Sequence, residues 1–388
     1  MPQIMKKVYL LIAFISISVF SQKKFDNIQS LKLGEERRIT IGLPASYEAK
    51  PDKKYPVLYL LDGDYLFDPF SGAVSYGTYW DDIPEMIIIG IHQNKDGERY
   101  DDTTIDQNEG LPFEKGAKFF EFIGAELVPY IEKKYRTSPF RIIAGHDVTA
   151  SFANFYLYKE NPLFSAYICL SPELAPKMEV RIAEKFAKVQ KPIFYYLSAG
   201  EGDIKKIKEP IEKLDNNIKI ANNPLVNYKY ELFKNATHYT EVLHSIPSAL
   251  YQIFEVYRPI NSAEYANKIA VLETGYADYL EKKYNTMSEV LGVQIPVRMS
   301  DFKVIENIIL KKNAYDELGK MAEIGNVNYP KAMLGEYELG LMYEKMGDAK
   351  HASKKYQNAS QMEPIGDLNK DLMYEKMDEM NALTKKSK

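Results

Sequence analysis

Between residues 35 and 258, short apolar runs alternate with longer amphipathic stretches. The runs are RITIGL (38–43), PVLYLL (56–61), MIIIGI (86–91), FRIIA (140–144), AYICL (166–170), IFYYL (193–197) and VNYKYEL (226–232). Several place apolar residues at consecutive positions, as strands covered on both faces do. Between them the pattern turns helical. The stretch 115–135 puts Phe119, Phe122, Ile123, Leu127, Tyr130 and Ile131 on one side, and 149–159 and 239–257 behave alike. This rhythm predicts an α/β fold with a mostly parallel central sheet.

After Tyr257-Arg258-Pro259 the strand signal stops, and residues 260–388 read as helices alone. Leu339, Gly340, Tyr343, Gly347, Ala352, Tyr356, Ala359 and Pro364 fall at the spacing of a tetratricopeptide unit, which this stretch resembles. Small residues at Gly340 and Ala352 let two antiparallel helices approach. Tyr343 and Tyr356 fill the space between them, and Pro364 ends the second helix. An earlier, degenerate unit has Pro330 in the place of Pro364, with Ile305 and Ile309 in the places of Leu339 and Tyr343. LMYEKMGD at Leu341 recurs as LMYEKMDE at Leu372, which is read as a capping helix. An all-α, tetratricopeptide-like domain over 260–388 is therefore expected.

The start of the chain carries a different signal. Lys6 and Lys7 precede thirteen uncharged residues, Val8 to Phe20, and Ser21-Gln22 follow. That order is a secretory signal peptide over 1–21, and the apolar run is short for a membrane span. The expected location is periplasmic or secreted, with no membrane span after cleavage. The lone cysteine, Cys169, excludes an intrachain disulfide and a Cys-built zinc site, and reads as a core residue. A net charge of −4 makes nucleic acid a poor partner. No cofactor is expected. The acidic run at Asp101, Asp102 and Asp106 lacks the spacing of a cation site, so no metal is assigned.

In open α/β sheets functional groups collect at the carboxyl ends of the strands. The segment RIIAGHDVTASFANFYLY is strand, sharp turn, helix. In α/β-hydrolases that turn is the nucleophile elbow, G-x-S-x-G, with the middle side chain exposed on a strained backbone. Here it reads Gly145-His146-Asp147-Val148-Thr149-Ala150: the first glycine is present, Asp147 holds the nucleophile position and Thr149 replaces the second glycine.

Over 25–258 the chain resembles the putative esterase family of α/β-hydrolases, the group of esterase D and enterochelin-esterase-like proteins. The resemblance is carried by YPVLYLLDGDYLF (55–67), MIIIGI (86–91), ELVPYIEKKYRTSPFRIIAGH (126–146), LFSAYICLSPEL (163–174), LSAGEGD (197–203) and the His238 segment. It implies a triad in the order nucleophile, acid, histidine. LSAGEGD offers Asp203 or Glu201 as the acid, with Asp203 favoured; His238 is the histidine, with His244 the weaker candidate. An oxyanion hole would use the backbone N–H of Val148 and one from the Asp62-Gly63-Asp64 loop, at Gly63 or Asp64. The implied ligands are small acyl esters. Tyr65, Tyr76, Tyr79, Trp80 and Tyr100 are expected around the mouth, where rings suit stacking on a ring or sugar.

Where the family carries G-H-S-x-G-G, this chain departs from it. Carboxylate attack on an ester gives an anhydride while expelling a far more basic alkoxide, which is uphill. Ser151 lies one helical turn further on and is no substitute. Serine-type ester hydrolysis is therefore expected to be lost or much reduced, with the pocket serving binding. Two other chemistries stay open: Asp147 as nucleophile at saturated carbon, as in epoxide- or halide-type displacement, and water activated by His238. The helical tail would hold a protein or peptide partner, buttress the hydrolase domain or mediate self-association.

Overall fold

The computed structural model describes residues 23–386. The signal-peptide segment expected over 1–21 lies outside these residues, and no helix among them is long and apolar enough to cross a membrane. Eight strands form one sheet: β1 (Lys23–Gln29), β2 (Glu36–Gly42), β3 (Tyr55–Leu60), β4 (Ile87–Ile91), β5 (Thr137–His146), β6 (Ala166–Leu170), β7 (Ile193–Gly200) and β8 (Val226–Phe233). Their order is β1-β2-β4-β3-β5-β6-β7-β8. The pairs β1·β2 and β2·β4 are antiparallel; every later pair is parallel.

Every residue of β3, β4, β6 and β7 is buried, which is why their sequences are continuous apolar runs. Successive side chains then serve opposite faces. Val57 and Tyr59 join Ile143, Tyr167, Cys169 and Tyr195 under the helical segments 115–134, 148–158, 178–186 and 205–221. Leu58 and Leu60 join Ile142, Ile168 and Tyr196 on the other face, beneath helices Gly63–Tyr79 and Glu241–Ile253. Cys169 is fully buried, and burial pushes its thiol up to about 12.

That second face continues into the tail. Ile269, Tyr276, Leu280, Tyr284, Met287 and Leu291 belong to the same core as Leu58 and Phe140. Helix Tyr276–Leu291 ends at Gly292 (φ +62°), where a Cβ would sit 2.2 Å from the Pro139 ring at the start of the central strand. Asp81 accepts from Tyr257 Oη at 3.0 Å and pairs with Arg298 of the tail. Helices Met299–Lys312 and Glu317–Asn328 form one antiparallel pair, Leu334–Lys345 and Ala349–Ala359 a second, and Lys370–Lys386 closes the array. Gly340 lets the second pair pack closely: a Cβ there would lie 2.6 Å from the buried Tyr356 ring.

Candidate functional site

The elbow sits where β5 meets helix Val148–Ala153. Asp147 adopts φ 60°, ψ −124°, a conformation that costs a non-glycine residue on the order of 1–3 kcal/mol. Its N–H donates to the Leu170 carbonyl at 3.0 Å, so the neighbouring strand holds the turn. Gly145 is required by the close strand–helix crossing, since a Cβ there would meet the Thr149 carbonyl carbon at 2.7 Å.

The structure brings Asp147, His238 and Asp203 together. His238 Nδ1 lies 2.7 Å from Asp203 Oδ1. Asp203 Oδ2 accepts from Ser171 Oγ at 2.7 Å and from the Gly200 N–H at 2.8 Å. Burial raises the Asp203 carboxyl, but these hydrogen bonds, His238 foremost, outweigh it and hold the group below the usual carboxylate range. The hydrogen bond to Asp203 raises His238; burial opposes, and the charges of Asp203 and Asp147 add to the rise. Glu201 instead accepts from the Asn235 N–H at 2.9 Å, and His244 stacks on Phe233 away from the dyad.

His238 Nε2 lies 3.8 Å from Asp147 Oδ1, an ion-pair contact longer than a hydrogen bond. The nearer partner of Asp147 is Arg99, whose Nη1 lies 3.3 Å from Oδ2. Arg99 also donates through Nε to Asp62 Oδ1 at 2.7 Å and through Nη2 to the His146 carbonyl at 2.9 Å. It projects from a five-residue helix, Glu98–Asp102, after β4. No motif marked it in the sequence; it is a lone arginine in an acidic run.

Asp62 links the two loops. It is fully buried in the left-handed region (φ 54°, ψ 40°) and accepts from Arg99, from Tyr65 Oη at 2.9 Å and from Thr149 Oγ1 at 2.5 Å. Thr149 Oγ1 in turn receives the His146 N–H at 3.0 Å. The residue standing in for the second elbow glycine thus ties the elbow to the loop after β3. His146 lies 3.1 Å from Tyr65 Oη and 3.0 Å from the His238 carbonyl. Burial, then the charge of His238, lowers its pKa to about 4, so it is neutral at pH 7.

Val148 and Gly63 each open a helix, and Asp64 is second in its own, so all three N–H groups lie in first turns without intrahelical acceptors. The Asp64 carboxylate meanwhile binds His92 Nδ1 at 2.7 Å and the Gln93 N–H at 2.9 Å. Ser151 is buried and directs its hydroxyl to Met178. Of the expected aromatic mouth, only Tyr65 and Tyr100 lie at the elbow, the latter beside Arg99. Tyr76, Tyr79 and Trp80 do not line it: they fall at the far end of helix Gly63–Tyr79, about 20 Å along its axis. Tyr239, missed in the sequence, supplies the third ring, 5.2 Å from His238 and 6.0 Å from His146. Asp102 pairs with buried Arg37, and Asp106 caps the N–H groups of Asn108 and Glu109.

An eight-stranded, mostly parallel sheet, an elbow on the central strand and an acid–histidine pair on the loops after β7 and β8 define the α/β-hydrolase class. Residues 30–242 match the model of the family described as "Putative esterase", and the chain belongs to that family. An uncharacterised protein from Capnocytophaga ochracea superposes with a TM-score of 0.85 at 29% identity, covering 93% of this chain and 100% of that one. An IroE-like serine hydrolase from Shewanella oneidensis gives 0.59 at 20% identity, covering 80% and 100%. The siderophore hydrolase EstA from Aspergillus nidulans gives 0.50 at 16% identity, covering 60% and 94%. The last two share the fold. No curated protein matches the chain.

Proposed function

We propose that this chain is an exported esterase-family protein whose elbow has given up serine-type hydrolysis and whose pocket serves to bind a small ester-like ligand. The observation that carries the reading is the charge arrangement at Asp147. Its carboxylate stands 3.3 Å from the Arg99 guanidinium and 3.8 Å from His238. A nucleophile needs a free electron pair; here the Arg99 guanidinium stands against one oxygen of the carboxylate and the His238 imidazole against the other. Arg99 equally disfavours displacement at saturated carbon, because it lowers the nucleophilicity of the oxygen that would attack. Tyr65, Tyr100 and Tyr239 leave an aromatic rim around the polar floor, suited to the acyl or ring portion of an ester.

A second reading rests on the Asp203–His238 dyad, which keeps the geometry of a working relay. His238 would then activate water directly. Because its pKa is raised, such activity would grow as pH climbs through that value and would vanish in His238→Ala.

The test is hydrolysis of a chromogenic short-chain ester by wild type, His238→Ala, Asp147→Ser and Asp147→Ser/His238→Ala. The expected result is an inert wild type, with turnover in Asp147→Ser at least about 100-fold above the double variant. Efficient wild-type turnover that His238→Ala abolishes would overturn the reading in favour of the second.

A further inference from the structure

At the other end of the sheet a cavity of about 740 Å³, open to solvent on one side, lies between the α/β part and the tail. Phe194 and Asn227 contribute to its lining, and both are the second residue of their strands, β7 and β8. The elbow lies at the opposite strand ends, about 20 Å away. The volume falls in the range of small-molecule sites.

Its charges are unevenly satisfied. Lys283 is neutralised by Glu264, at 2.9 Å and 3.0 Å to its two oxygens. Arg258, Lys268 and Lys282 also line the cavity, and among the described residues none has a carboxylate within ion-pair distance. Glu255 is the one remaining acid of the lining, so the wall is net cationic. Arg258 is not a loose surface side chain. Its guanidinium lies 4.5 Å over the Tyr251 ring, and its buried Nε has no acceptor. Opposite in kind is Gln252. It is 9% exposed, its amide nitrogen is spent on the Asn227 carbonyl at 2.8 Å, and its buried Oε1 has no donor. A buried donor and a buried acceptor left unmade each carry a desolvation cost.

We infer that this cavity is a second binding site, for a small organic oxyanion. The oxyanion would meet Arg258, whose planar fork suits carboxylate or phosphate, with Lys268 and Lys282 adding point charges at the rim. Phe194 and Val256 give the carbon skeleton an apolar floor. A neutral sugar lacks the first element, and inorganic phosphate the apolar part.

The full chain is titrated by calorimetry with glucose 6-phosphate, glucuronate, glucose and inorganic phosphate. The first two separate a phosphate from a carboxylate ligand. At least one should saturate with a dissociation constant of about 1 mM or tighter, and glucose should not bind. Arg258→Gln should weaken that binding about tenfold or more, and Lys282→Glu, on an exposed residue that folding tolerates, by at least about threefold. Arg99→Gln, at the elbow, should leave it unchanged. No saturation by either sugar anion up to about 20 mM would overturn the inference. So would binding indifferent to both Arg258→Gln and Lys282→Glu, or binding lost in Arg99→Gln, which would place the anion at the elbow.

Discussion

With Asp147 at the elbow, His238 faces a carboxylate on either side, and its protonated form is the one the fold favours. A histidine whose pKa is raised on folding stabilises fully below its unfolded value of about 6.5, and that stabilisation fades as pH rises through the folded value. The Tm advantage of wild type over His238→Gln is therefore expected to be complete near pH 6 and to shrink as pH rises through the folded value. Glu241, three residues on, carries its own pH dependence. It is fully buried; burial pushes its carboxyl up to about 7 against hydrogen bonds from Ser245 and Ser198, and its Oε1 has no partner. A carboxyl raised in this way is stabilising as the neutral acid and loses that contribution as pH rises from about 4.5 through 7. Glu241→Gln should match wild type near pH 5 and exceed it near pH 8, by up to about 3 kcal/mol in denaturant melts. The sequence showed Asp147, Asp203 and His238 because strand ends and a family motif mark them. It did not show Arg99, Asp62 as a side-chain acceptor, or the hydroxyl of Thr149. Those act through contacts between loops distant in sequence, which no local spacing encodes.

At the scale of elements, strands buried on both faces were the legible ones, since continuous apolar runs have few other solutions. β1 escaped notice because only Ile28 of its seven residues is buried and the rest face solvent at the sheet edge. The stretch 115–135 was expected as one helix and is one, but with a wider π turn at Phe122–Leu127 that local propensity does not signal. In the tail, the glycine at 340 was predicted to admit a close helix approach, and the Tyr356 ring fills the space its missing side chain leaves. Gly340→Ala gains about 1 kcal/mol of helix propensity and pays about 1–3 kcal/mol for displacing a packed ring. A fall in Tm of about 2–4 °C is expected, measured by calorimetry, and a rise would show that Tyr356 repacks freely.

For the whole molecule, the division near residue 259 is real in sequence and in element type but not in packing. The tail covers apolar surface of the sheet that a free α/β part would expose, and Arg298 and Asp81 fasten the two across the seam. A chain ending at Pro259 is therefore expected to aggregate or to bind a hydrophobic dye, whereas the full chain should unfold in a single calorimetric transition. Two well-separated transitions would mean that the halves are independent after all.

The Gly292–Pro139 contact gives this a time axis. All eight strands have left the ribosome once Phe233 has emerged, yet the face around Phe140 waits for helix Tyr276–Leu291, still to be made. Synthesis therefore passes through an interval in which all eight strands exist while one face of the sheet is covered only in part, by helix Gly63–Tyr79.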